Sequence, residues 1–150
     1  MPLLGASDFV RIFRTRRECS AALLEQSRRQ RTLIRSENYE QLLEVLGEKQ
    51  ALLNRLGAIG NQHPDLIAQW RRYREAAGEE TRQTCEQLLA EAETMLAELL
   101  NEETASTDEL IVRRDSTQRD LHDLAQSGRV HEAYRSALAP ATHRHLDVGQ

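Results

Sequence analysis

The stretch Leu23–Leu56, LLEQSRRQRTLIRSENYEQLLEVLGEKQALLNRL, decides the fold, because its apolar residues recur every three or four positions with hardly a breaker. That period is the signature of an amphipathic helix. The stripe passes through Leu23, Ser27, Gln30, Leu33 and Ile34, then through Tyr39, Leu42, Leu43, Leu46, Leu53 and Leu56. One long helix with a single seam is expected, and a seam of that length needs partners along all of it. Ser36, Glu37 and Asn38 are weak helix formers where the stripe shifts register, which predicts a stutter or gentle kink rather than a full break.

Working outward, Ser7 or Asp8 stands before Phe9, Ile12 and Phe13 and is placed to cap the start of this helix. Arg16, Ser27 and Gln30 fall at or near seam positions, so the first half has the more polar stripe. Polar seam residues either set register in a bundle or line a groove that another chain fills. On the other side, Gly57 and Gly60, followed by Asn61, Gln62, His63 and Pro64, predict the helix stop. Pro64 and Asp65 suit a new helix start, and Leu66, Ile67, Trp70, Tyr73 and Ala77 have the spacing of a short connecting helix. Trp70, the only tryptophan, is expected to plug the closed end of a helical hairpin.

From Glu79 to Gln126 there is neither proline nor glycine, and Cys85, Leu88, Leu89, Ala92, Met95, Leu96, Leu99, Leu100, Leu110, Thr117, Leu121 and Leu124 keep a helical period. At the usual helical rise this segment would reach ~70 Å, ending at Gly128. A short helix from about Val130 to Ala139 and a tail after Pro140 would follow. The expected fold is therefore all-α: an antiparallel hairpin of two long helices with a short connecting helix, in a bundle over 1–128, with a short helix and flexible tail over 129–150.

Composition narrows function more by exclusion. The chain has 150 residues, 29% of them charged and 4% aromatic, with a net charge of -4. Its core must be thin and leucine-rich, and the charge disfavours a general nucleic-acid binder, although eight arginines between Arg11 and Arg35 leave a phosphate- or RNA-binding reading open. From Glu79 to Asp108 the charges are acidic but for Arg82, so basic and acidic segments lying side by side would help register an antiparallel helix pair. No run approaches the ~18 apolar residues of a membrane span, and the N-terminal apolar run is too short for a signal peptide, so a cytoplasmic location is expected. Cys19 and Cys85 lie at different levels of the expected hairpin and should not form a disulfide.

Chemistry-bearing patterns are sparse. None of the five histidines has a glutamate three residues before it, so the carboxylate metal site of helical bundles is not expected. His143, His145 and Asp147 form only a loose trio, read as surface residues rather than metal ligands. No nucleophile elbow, phosphate loop or Cys–His pair is present, and neither an enzymatic role nor a cofactor is expected.

The opening stretch also resembles the FlgN-type flagellar export chaperones. Their pattern is a leucine pair, a polar step, then L-L-x-L-x-x-x-K-x-x-L-L. Leu42, Leu43, Val45, Lys49, Leu52 and Leu53 match it, with Asn38 where Asp is common and Ser27 or Arg28 where an early Glu is common. Chain length and the expected hairpin agree with that family, and so does the ending, with Ala133 and Tyr134 before His145, Leu146 and Asp147.

The resemblance implies a non-enzymatic cytoplasmic chaperone that holds hook-filament junction subunits unassembled and delivers them to the export gate. It would place cargo contacts on Leu88, Leu89, Met95, Leu96, Leu99 and Leu100, and a contact with an export-gate component at Tyr134. The bare residues admit core packing for those leucines, and closure of the apolar stripe by a second copy in a homodimer or coiled-coil scaffold.

Overall fold

The computed structural model describes residues 3–138, and for 130, 131, 134 and 136–138 the backbone alone. The described residues form four helices and no strand: α1 (Ala6–Arg35), α2 (Tyr39–Gln62), α3 (Leu66–Tyr73) and α4 (Glu79–Leu138). The all-α class and the short connecting helix are as expected. Two compact units are present, Met1–Leu110 and Ile111–Gln150.

Leu23–Leu56 is not one helix. α1 ends at Arg35, and Glu37 takes a left-handed conformation with φ 58°. The Glu37 amide donates to the Ile34 carbonyl (3.1 Å) and the Asn38 amide to the Leu33 carbonyl (3.0 Å). This pair of bonds is the Schellman closure of a helix, with glutamate in the place glycine usually takes. Asn38 then starts α2, its side-chain carbonyl accepting from the Gln41 amide at 3.3 Å. The kink expected at 36–38 is thus a reversal, and α1 and α2 form a tight antiparallel pair. At the other end of α1, Gly5 is the N-cap, and Asp8 contributes from the first turn by accepting the Gly5 amide at 2.9 Å.

Contacts along the first unit fix its topology. Arg17 meets Glu91 (2.9 Å), Arg28 meets Glu98 (2.9 Å), and Arg35 meets Glu109 (2.6 Å), so numbers rise together and α1 and α4 run parallel. α2 runs against both, with Leu42 and Val45 beside Leu33 and Ile34 at one end and Ile59 packed on the Phe9 cluster at the other. The basic and acidic segments do lie side by side, but they register a parallel pair rather than an antiparallel one. Each of these exposed ion pairs contributes ~0–1 kcal/mol, so they select register more than they supply stability.

Two apolar clusters hold the ends. Phe9, Ile12, Phe13, Leu66, Trp70 and Cys85 form one, and Leu33, Ile34, Leu42 and Val45 the other. Trp70 is 2% exposed, with ring centroids 5.2 Å from Phe9 and 5.6 Å from Phe13, so it plugs the end where α3 crosses. Cys19 and Cys85 are buried free thiols, as expected.

α2 passes through Gly57 and Gly60 to Gln62, where the sequence predicted a stop, and α4 passes through Gly128 to Leu138. Helix-interior glycine costs ~1 kcal/mol relative to alanine, which the rest of each helix absorbs. Ile111–Leu138 of the second unit is helical, with Ile111, Val112, Leu121 and Leu124 exposed. The trio His143, His145 and Asp147 and the expected tail lie outside the described residues.

Candidate functional site

Between its two apolar clusters the first unit carries polar side chains at its centre. Ser27 and Gln30 are buried on α1, facing Lys49 of α2, which is 8% exposed. The Lys49 ammonium donates to Gln30 Oε1 at 2.6 Å and to Glu103 Oε1 of α4, while Ser27 Oγ donates to the same Glu103 oxygen at 2.7 Å. Three helices therefore meet in one hydrogen-bonded layer. Burying a lysine demands an ionised partner and acceptors for its N–H groups, and the layer supplies Glu103 for the first and, with Gln30, two of the second. Ser27 and Gln30 are thus register-setting residues, one of the two roles open to a polar seam.

Burial pushes the Glu103 carboxyl up, but hydrogen bonds from Lys49 and Ser27, with the Lys49 charge, outweigh it and hold the group below the ordinary value of 4.5. A folded-state value below the unfolded one contributes stability that is present above about pH 4.5 and is lost as pH falls through the folded value. Urea midpoints measured from pH 7 to pH 3 should therefore decline below about pH 4.5. Glu103→Gln should flatten that decline in part, because Asp8 and Glu109 are also held low, the first chiefly by the Gly5 amide and the second by Arg35 and Arg31 against its desolvation.

Nearer the Trp70 end the polar seam borders a cavity. A cavity of about 440 Å³ opens among Leu56, Ile59 and Gly60 of α2, the His63–Asp65 turn, Leu66 and Ile67 of α3, Leu96 of α4 and Arg16 of α1. Arg17, Arg28, Arg31 and Arg35 all pair with carboxylates of α4. Half-buried Arg16 has no carboxylate within ion-pair distance among the described residues. A guanidinium beside leucine and isoleucine walls, with Asp65 on the same rim but not paired to it, is suited to receive a carboxylate carried on an apolar ligand.

The six leucine and methionine positions expected to touch cargo separate. Leu88 and Leu89 pack against the Phe9–Trp70 cluster and are half-buried. Met95, Leu96 and Leu99 are half-buried, Leu96 lines the cavity, and Leu100 is exposed. Tyr134 lies in the α4 backbone, and its side chain is outside the described residues.

The seam of α2 also differs from its reading in the sequence. Its inward side chains are Leu42, Val45 and Lys49, with Leu52, Leu56 and Ile59 half-buried, whereas Tyr39, Leu43, Leu46 and Leu53 are exposed. Sequence reading missed the cavity role of Arg16, although its position at the polar seam was visible. No signal in the chain linked it to Leu96, 80 residues away.

Among the described residues no cluster of three or more His, Cys, Asp or Glu side chains is placed to hold a metal ion, and no helix is long and apolar enough to cross a membrane. The described residues define an all-α bundle with a buried polar layer and an open cavity of mixed lining that carries Arg16; a second cavity of about 440 Å³ lies at Leu3, Leu4, Phe9, Gln69, Arg72 and Tyr73. No family model, curated protein or solved structure matches the chain.

Proposed function

We propose that the chain is a non-enzymatic, cytoplasmic helix-binding chaperone of the flagellar type III export kind, which keeps the helical ends of hook-filament junction subunits unassembled and delivers them to the export gate. The observation that supports this reading best is the Arg16 cavity. An amphipathic helix presents apolar side chains at three- and four-residue spacing with a carboxylate on its flank, and the cavity offers Leu56, Leu66 and Leu96 for the first and Arg16 for the second. The motif residues Leu42, Val45 and Lys49 act in this scheme as framework, because Leu42 and Val45 are buried against Leu33 and Ile34 of α1 and Lys49 in the layer shared with α4. Exposed Leu100 extends the binding face along α4.

The test is calorimetric titration of the purified chain with peptides spanning the C-terminal helices of hook-filament junction subunits. Saturable binding is expected, weakened at least ~10-fold (~1.4 kcal/mol) by Arg16→Glu and unchanged by Arg29→Glu, whose side chain is exposed and outside the cavity. Absence of binding at 100-micromolar peptide would remove the chaperone reading. Equal binding by both variants would remove the cavity from it.

A further inference from the structure

The exposed apolar side chains of α2 are not scattered. Tyr39, Leu43, Leu46, Gln50, Leu53, Gly57 and Gly60 follow alternating steps of four and three, the heptad spacing of a coiled-coil seam. They lie one residue along from the buried seam of Leu42, Val45, Lys49, Leu52, Leu56 and Ile59, so α2 has two adjacent seams and only one is covered. Tyr39, Leu43, Leu46 and Leu53 are 43–70% exposed.

Two further facts specify what covers the second. A Cβ added at Gly57 or Gly60 would meet nothing within 4 Å, so no contact inside the first unit calls for glycine at positions where glycine weakens a helix. From Gln50 to Gln62 the only charged residue is Arg55, in a chain that is 29% charged.

We propose that this outward seam pairs with the same helix of a second copy, antiparallel, about a two-fold axis between Gln50 and Leu53. In that register Leu43 of one copy meets Gly60 of the other, Leu46 meets Gly57, and Gln50 meets Leu53, each layer being made twice. Every leucine of the first half faces a glycine that leaves room for it. A parallel pair would instead set leucine on leucine at one end and glycine on glycine at the other, leaving a gap. Of the positions flanking the seam, Gly47, Asn54 and Asn61 are uncharged, Glu40 falls near Asn61 of the other copy, and Lys49 is turned into its own protomer, so close approach brings no like charges together. Gly60 also borders the Arg16 cavity, which puts Leu43 of the other copy at its rim. The pairing stands independently of the chaperone reading, since it involves no cargo.

Sedimentation of the full chain from 5 to 100 micromolar should give twice the 17.2 kDa monomer mass. Gly57→Leu should keep the circular dichroism and melting of the protomer, because the space around it is open, and should raise the dimer dissociation constant at least ~10-fold. The exchange Leu46→Gly with Gly57→Leu should restore pairing, since it only reverses which copy supplies the leucine. Spin labels at Glu48 should lie about 10 Å apart along the axis and labels at Asn61 about 28 Å apart, whereas a parallel pair would give equal spacings. A wild-type monomer at 100 micromolar overturns the proposal, as does a Gly57→Leu chain that dimerises unchanged. Loss of peptide binding by Gly57→Leu in a chain that is monomeric throughout would assign the seam to a heterologous helix and overturn it equally.

Discussion

Trp70→Ala is expected to cost ~3–5 kcal/mol and to lower the melting temperature of the first unit by roughly 15 °C. The indole is the largest fully buried side chain in that unit, and it sits in the cluster that joins α3 to α1. Phe9 and Phe13 come from α1 and Tyr73 from α3, at ring distances of 5.2, 5.6 and 6.3 Å from Trp70. Removing it leaves a void at the end of the bundle that an eight-residue helix is too short to close by shifting. The damage should be local in its order of appearance. Amide exchange should accelerate first in α3 and the start of α4, whereas the Leu33, Ile34, Leu42 and Val45 cluster at the opposite end should keep its protection. Leu66 and Ile67 line the Arg16 cavity, so peptide binding should weaken in this variant before global unfolding. Trp70→Phe should cost much less, because a ring remains between Phe9 and Phe13 and because the indole Nε1 that it removes is buried without an acceptor among the described residues. Uniform loss of protection across both clusters in Trp70→Ala would show that the two ends are one cooperative unit.

Much of this architecture was legible in the sequence because helical period and proline placement are local signals. The start of α3 after Pro64 and Asp65, the start of α4 at Glu79, and the role of Trp70 all follow from residues within a few positions of one another. The reversal at Glu37 was hidden because its left-handed residue is a glutamate and no glycine or proline marks it. Its closing bonds run between backbone atoms, which composition does not encode. Glycine misled in the opposite sense at Gly57, Gly60 and Gly128, where packing or neighbouring helical residues carry the helix through. The choice between the two stripes of α2 was also hidden. Leu42 and Leu43, like Leu52 and Leu53, are adjacent leucines whose identities are equal, and only the direction in which α2 returns along α1 decides which of each pair is inside. The buried stripe is the one that includes Lys49, a residue that hydropathy alone would place in solvent.

Lys49 is for that reason the most informative single substitution. Lys49→Met keeps the length and apolar stem of the side chain but takes from Glu103 its one charged donor in the layer, leaving Ser27 and Gln30, and leaves Gln30 Oε1 with an unfilled acceptor. Breaking a fully buried ion pair from one side costs ~3–5 kcal/mol, but the Glu103 side chain is 38% exposed and can turn toward water. The expected cost is therefore about 2 kcal/mol, read as a urea midpoint shift at pH 7 with an unchanged slope. Adding Glu103→Leu and Gln30→Leu to Lys49→Met should recover most of it, since replacing the charged and amide members of a buried polar layer by apolar groups is often neutral or stabilising, and the Ser27 hydroxyl that remains can donate to a carbonyl one turn back in its own helix. What the apolar triple variant should lose is uniqueness. α1 and α4 would still be registered by Arg17–Glu91, Arg28–Glu98 and Arg35–Glu109, but α2 has no such ladder, and its two adjacent leucine stripes differ by one residue. With the Lys49 layer gone, α2 should rotate between burying Leu42, Val45 and Leu52 and burying Leu43, Leu46 and Leu53. The signature is doubled or broadened amide resonances confined to α2 at undiminished thermal stability. A single sharp set in the triple variant would mean that Leu42 and Val45 packing on Leu33 and Ile34 is enough to fix the rotation, and that the lysine serves stability alone.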